Sequence, residues 1–139
     1  MKIVINKCYG GFGLSPLAIQ KLAERKGRKC YLFESRVEGK KQRFIPLTLE
    51  QAQSSHHCVF AFDAPEPELG NDWYSAHNID ERQYERTDAD LVAIVEELGA
   101  KANGQYAELA IVEIPDGVEY EIDEYDGVEH IAEKHRTWG

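Results

Sequence analysis

No apolar run in this chain of 139 residues approaches the roughly 18 residues that a membrane span requires. The opening stretch from Met1 to Lys7 is too short in apolar residues for a secretory signal, and Lys7 interrupts it. Cysteine is scarce. Cys8, Cys30 and Cys58 are odd in number and widely spaced, which argues against a secreted disulfide framework and predicts a reducing, cytoplasmic setting. There is no internal repeat and no low-complexity block. Lys and Arg are missing altogether between Glu113 and Glu133.

What is present is ordinary in amount and uneven in placement. Hydrophobic content of 42% and charged content of 29% suit a globular chain. The length suits a single domain over residues 1–139. The net charge of −9 conceals a division. Residues 1–43 hold eleven Lys/Arg against three Asp/Glu, a net of +8. Residues 44–139 hold five against twenty-two, a net of −17. Such an acidic surface disfavours DNA and anionic membranes and favours basic protein partners.

The pattern predicts a strand over Lys2 to Lys7, built around Ile3 and Ile5. Ser15-Pro16 opens a helix, with Ser as N-cap and Pro at the first helical position. Leu17, Ile19, Leu22 and Ala23 give its apolar face, and Gly27 stops it. Strands follow over Cys30 to Glu34 and Arg43 to Leu47, with a turn at Val37 to Lys40. Pro46 assigns the second of them to an edge. Thr48 to Gln51 fits a capping box before a short helix. Cys58 to Phe62 reads as a strand, and Asp63 to Asp80 as a long ordered loop.

Asp88 to Leu98 is the best helix, with Leu91, Val92, Ile94, Val95 and Leu98 in its apolar stripe and Gly99 at its end. Leu109 to Ile114 is a strand and Pro115-Asp116-Gly117 a tight turn. Val118 to Tyr125 alternates: Val118, Tyr120 and Ile122 on one face, Glu119, Glu121 and Asp123 on the other. Asp126 to Glu129 reads as a helix start with Val128, Ile131 and Ala132 inward. The elements do not alternate strictly. The expected architecture is therefore α+β: a mixed, largely antiparallel sheet with two or three helices packed on it.

Two constellations are candidates for function. The acidic strand repeats a carboxylate about every 6.6 Å. A nucleic-acid strand carries a phosphate about every 3.4 Å, so one such row has about half that density. Literal DNA mimicry would need a second row, from Asp88, Asp90, Glu96 and Glu97. A protein partner fits better. The expected partner-binding residues are Glu119, Glu121, Asp123, Glu124, Asp126 and Glu129, with Trp73 and Tyr74 as an aromatic anchor in the long loop. The plain alternative is a solvent-facing side of an antiparallel sheet.

The second constellation is the loop Tyr9-Gly10-Gly11-Phe12 between the first strand and the first helix. Its amides would suit an anion, with Arg28 and Arg36 of the basic third adding charge. It is not a P-loop, since no Gly-Lys-Ser/Thr ends it, nor a dinucleotide fingerprint, since Pro16 stands where a third glycine belongs. The simpler reading is that glycine permits positive φ there.

No metal site is expected. His56 and His57 are adjacent and point apart, and His130 and His135 lack the i, i+4 spacing of a zinc-binding face. No cofactor is expected. Cys58 follows His57 but would face away from it on a strand, and its apolar neighbours suit an inert thiol. No catalytic residues are assigned.

The opening Asn6-Lys7-Cys8-Tyr9-Gly10-Gly11-Phe12-Gly13-Leu14-Ser15 resembles the start of small uncharacterised proteins encoded by bacteriophages and prophages. The stretch Ile111 to Gly127, with Glu133 to Trp138, resembles their C-terminal signature, and Asp90 to Gly104 is similar too. The resemblance covers about half of the chain and brings no activity or catalytic residue with it. It implies a phage origin and the cytoplasm of a bacterial host. By analogy with small acidic phage proteins, it implies a non-enzymatic inhibitor of a defence system, such as an anti-CRISPR, acting on a basic host protein surface. Direct nucleic-acid binding is not expected. The alternative is a protein that binds or sequesters a nucleotide through the glycine loop and the basic third.

Overall fold

A computed structural model describes residues 1–55 and 58–134. His56, His57, His135 and Trp138 lie outside the described residues. The chain is an α+β protein with four α-helices and seven strands, and every strand pairing among the described residues is antiparallel. The pairing is divided among three small sheets. The backbone falls into two compact units. One is continuous, residues 15–83; the other joins residues 1–14 to those from 84 onward.

The continuous unit begins with α1 (Pro16–Arg25), capped by the Ser15 hydroxyl, which accepts from the Ala18 amide. Ala18, Ile19, Leu22 and Ala23 are its buried residues. β2 (Tyr31–Glu38) pairs with β3 (Lys41–Leu47) on one side and β4 (Val59–Phe62) on the other. Pro46 thus sits on an edge strand, the position in a sheet where a residue without an N–H is tolerated. Between β3 and β4, α2 (Leu49–Gln53) starts in a complete capping box formed by Thr48 and Gln51.

Where sequence composition predicts a loop from Asp63 to Asp80, the chain forms a further helix, α3 (Asn71–His77). Its N-terminus has no side-chain cap, so local propensity does not announce it. Packing holds it instead. Trp73 meets the Phe62 ring edge-on at 5.0 Å, and Tyr74 meets Phe60 and Phe62 at 6.4 and 5.8 Å. Phe33, Phe44, Phe60 and Phe62 complete an aromatic core.

In the discontinuous unit, β1 (Lys2–Asn6) pairs with β5 (Leu109–Glu113), placing Ile3 opposite Val112 and Ile5 opposite Ala110. Helix α4 (Ala89–Leu98) packs against this pair with Leu91, Val92, Ile94 and Val95 buried. The Asp88 carboxylate caps it, accepting from the amides of Asp90 and Leu91. β6 (Tyr120–Tyr125) and β7 (Val128–Glu133) form a hairpin. The segment from Asp126 to Glu129 is therefore not a helix start. Asp126 and Gly127, with φ of 51° and 90°, make the two-residue turn that Asp-Gly favours, and Val128 already lies in a strand.

Candidate functional site

The hairpin register sorts its side chains onto two faces. Cross-strand partners share a face, and the faces alternate along each strand. Glu121 lies opposite Ala132, Asp123 opposite His130 and Tyr125 opposite Val128. Glu119 precedes β6, but its carbonyl accepts from the Lys134 amide at 3.0 Å, so the pairing continues through it. Glu119, Glu121, Asp123 and Tyr125 thus form one outer row, as the alternation predicts for the three acids. Glu119 and Glu121 are exposed, Asp123 is half-exposed, and its Oδ2 lies 3.4 Å from Nε2 of His130. Tyr125 ends the row at 77% exposure.

The other face carries Tyr120, Ile122 and Glu124, paired with Glu133, Ile131 and Glu129. Glu124 and Asp126 are exposed at the tip, where Oε1 of Glu124 also accepts from the Gly127 amide. Glu129 departs from expectation. It is only 8% exposed and cannot belong to a partner-facing row. Its carboxylate takes two hydrogen bonds from the Arg86 guanidinium, at 2.7 and 2.9 Å, and one from the Asn6 amide at 2.8 Å. The geometry is the bidentate fork that makes Arg–carboxylate pairs strong. Arg86 also donates to the Val4 carbonyl and lies 3.5 Å above the Phe12 ring.

Asn6 completes this network. Its Nδ2 donates to the carbonyls of Cys8 and Gly127, and its Oδ1 accepts from the amides of Cys8 and Glu108. One buried side chain so ties together the end of β1, the glycine loop, the approach to β5 and the hairpin turn.

The glycine loop is used in the same way. A Cβ on Gly127 would stand 2.5 Å from the Gly11 nitrogen and 2.6 Å from that of Gly10. One on Gly10 would meet the Tyr106 Cβ and carbonyl oxygen at 2.7 Å. Three backbone segments pass too closely here for any side chain between them. Tyr9 is left outside, 68% exposed, and Phe12 lies under Arg86.

The other residues of the expected anion site lie in the continuous unit. Arg36 pairs with Glu34 at 2.8 Å. Arg28 binds Oδ2 of Asp63 at 3.1 Å, while Nδ1 of His77 sits 2.7 Å from Oδ1 of the same carboxylate. Burial pushes the Asp63 carboxyl upward, but the hydrogen bonds from His77 and Arg28 outweigh it and leave it below the usual aspartate range. Trp73 stacks on His77 at 4.6 Å. The expected aromatic anchor is therefore divided: Trp73 is half-buried against Phe62 and His77, and Tyr74 is exposed at its margin. Burial pushes the Cys30 thiol up to about 11, the state of an unreactive thiol.

Sequence reasoning missed Arg86, Asn6 and the Asp63–His77 pair. Asn6 had a signal: a polar residue directly after the apolar run Ile3-Val4-Ile5, and in the structure all four are buried. Among the described residues, no helix is long and apolar enough to cross a membrane, and no group of three or more His, Cys, Asp or Glu is placed to hold a metal ion. No protein-family model, curated protein or solved structure matches the chain.

Proposed function

We propose that this protein is a non-enzymatic binding protein that presents the outer face of its β6–β7 hairpin to a basic surface on a partner protein. The observation that carries the reading is the row Glu119, Glu121, Asp123 and Tyr125, kept on one face by the strand register and left exposed or half-exposed. A row of like charges weakens the free hairpin slightly, and a cationic partner relieves that repulsion. The row is too sparse for a nucleic-acid mimic. A second row is also not to be had from Asp88, whose carboxylate is spent on the α4 cap. With the resemblance to phage and prophage proteins, the partner proposed is a nucleic-acid-binding component of a bacterial defence complex, met in the host cytoplasm.

The nucleotide-binding alternative has less support. The amides of Gly10 and Gly11 lie against the chain's own Gly127, and Arg28 and Arg36 are engaged by carboxylates.

The test is plating efficiency of a phage on hosts that carry defined restriction or CRISPR systems and express this chain. Wild type should raise plating on at least one such host. The triple variant E119K/E121K/D123K should lose that effect while keeping the wild-type melting temperature. Undiminished protection by a folded triple variant would sink the proposal.

A further inference from the structure

Among the described residues, six large hydrophobic side chains are exposed, and three of them share one neighbourhood. Tyr9, Tyr106 and Tyr125 are 68%, 67% and 77% exposed. They are far apart in sequence, and the glycine contacts bring their backbones together. Tyr9 precedes Gly10, which touches the backbone of Tyr106; Tyr125 lies two residues before Gly127, which rests on Gly10 and Gly11. Consecutive Cα atoms are about 3.8 Å apart, so the three tyrosines fall within on the order of 10 Å of the same crossing. The Asn6 side chain pins that crossing from below through Gly127 and Cys8.

The charge around the three rings has one dominant sign. Glu108 follows Tyr106 by two residues, Glu124 and Asp126 flank Tyr125, and all three acids are exposed. Lys7 is the single Lys or Arg in segments 7–13, 104–109 and 123–128. Exposed aromatic faces rimmed by carboxylates select a cation that has a flat, weakly hydrated face of its own. That describes guanidinium better than ammonium. The same loop already holds such a group from within the chain: Arg86 lies between the Phe12 ring and the Glu129 carboxylate.

We infer that Tyr9, Tyr106 and Tyr125 form a docking surface for an arginine-bearing segment of a partner protein. This rests on the acidic-face reading above and sharpens it, since the outer row ends on Tyr125 and so runs into the aromatic patch. The row supplies attraction at a distance; the tyrosines supply the choice of arginine over lysine. Tyrosine suits this use because it brings large contact area at small loss of rotamer freedom.

Fluorescence anisotropy with labelled octa-arginine and octa-lysine, on the full chain at about 0.15 M salt, tests it. Wild type should bind the arginine peptide about fivefold more tightly than the lysine peptide. Y9S/Y106S/Y125S should bind the two equally. Y9L/Y106L/Y125L keeps apolar cover but lacks aromatic faces, and carries the same expectation should the serine variant unfold. E119Q/E121Q/D123N should weaken both peptides and keep the preference. Equal binding in wild type, or a preference that survives in the folded leucine variant, overturns the proposal. So does self-association of wild type, by sedimentation, that the tyrosine variants lose, because the occupant is then a second copy. Carboxamide substitution that weakens neither peptide counts against the acidic-face reading, not against the tyrosine surface.

Discussion

Glu129 shows how much one carboxylate can be asked to hold. Its two oxygens satisfy both forks of Arg86 and the backbone amide of Asn6, although the sequence reads it as one of the partner-facing acids. Removing one partner of a buried ion pair leaves the other charge stranded, which costs about 3–5 kcal/mol. E129A should therefore unfold at markedly lower denaturant concentration than wild type, by about 3 kcal/mol or more in urea titration. Asp63 gives a second expectation, this one in pH. Its folded-state pKa lies below the ordinary 3.8, so its contribution is fully present above that value and fades as pH falls through the lower, folded-state value. The stability difference between wild type and D63N should shrink towards zero as pH falls below about 4. Chemical denaturation across that range measures it.

At the scale of elements, legibility follows the source of each element's stability. Helices α1, α2 and α4 carry their own start signals in Ser15, Thr48 and Asp88, and the hydroxyls and carboxylate cap as those residue types suggest. The alternation of Glu119 to Tyr125 also survives folding, because a two-residue period is imposed by the pleat itself. Helix α3 was not legible. Gly70 offers no cap, and the seven residues are held by Phe60 and Phe62, which arrive from another strand. W73A should accordingly cost about 2 kcal/mol in thermal or urea unfolding and reduce near-ultraviolet dichroism, whereas substitutions at exposed Asp72 should not. The hairpin turn departs from the sequence expectation for a related reason. Asp126-Gly127 fits a helix start by composition, but positive φ at both positions belongs to a turn. In the candidate site, the outer acids and their face could be read directly from the sequence. The burial of Glu129 could not, because its partner Arg86 lies forty-three residues away.

For the molecule as a whole, charge is the property with the clearest solution consequence. If a chain of net charge −9 binds as proposed, through exposed carboxylates, it gains much of its association rate from long-range attraction. Salt shortens that range from about 30 Å at 0.01 M to about 8 Å at 0.15 M. Binding to a basic partner should therefore slow steeply in its association phase over that salt range while dissociation changes little, as surface plasmon resonance would record. A rate insensitive to salt would point to a contact made elsewhere on the surface.

The discontinuous unit also sets a timetable for synthesis. Ile3 must find Val112, and Asn6 must find Glu129, 123 residues later. At about 5–20 residues per second, the ribosome takes roughly 5–25 s to supply those partners. Before that interval ends all residues of the continuous unit have been made, while the Ile3-Val4-Ile5 edge still waits unpaired. Such a strand is a template for wrong pairing. That edge stays open until β5 emerges, so the nascent chain is exposed to wrong pairing for most of its synthesis.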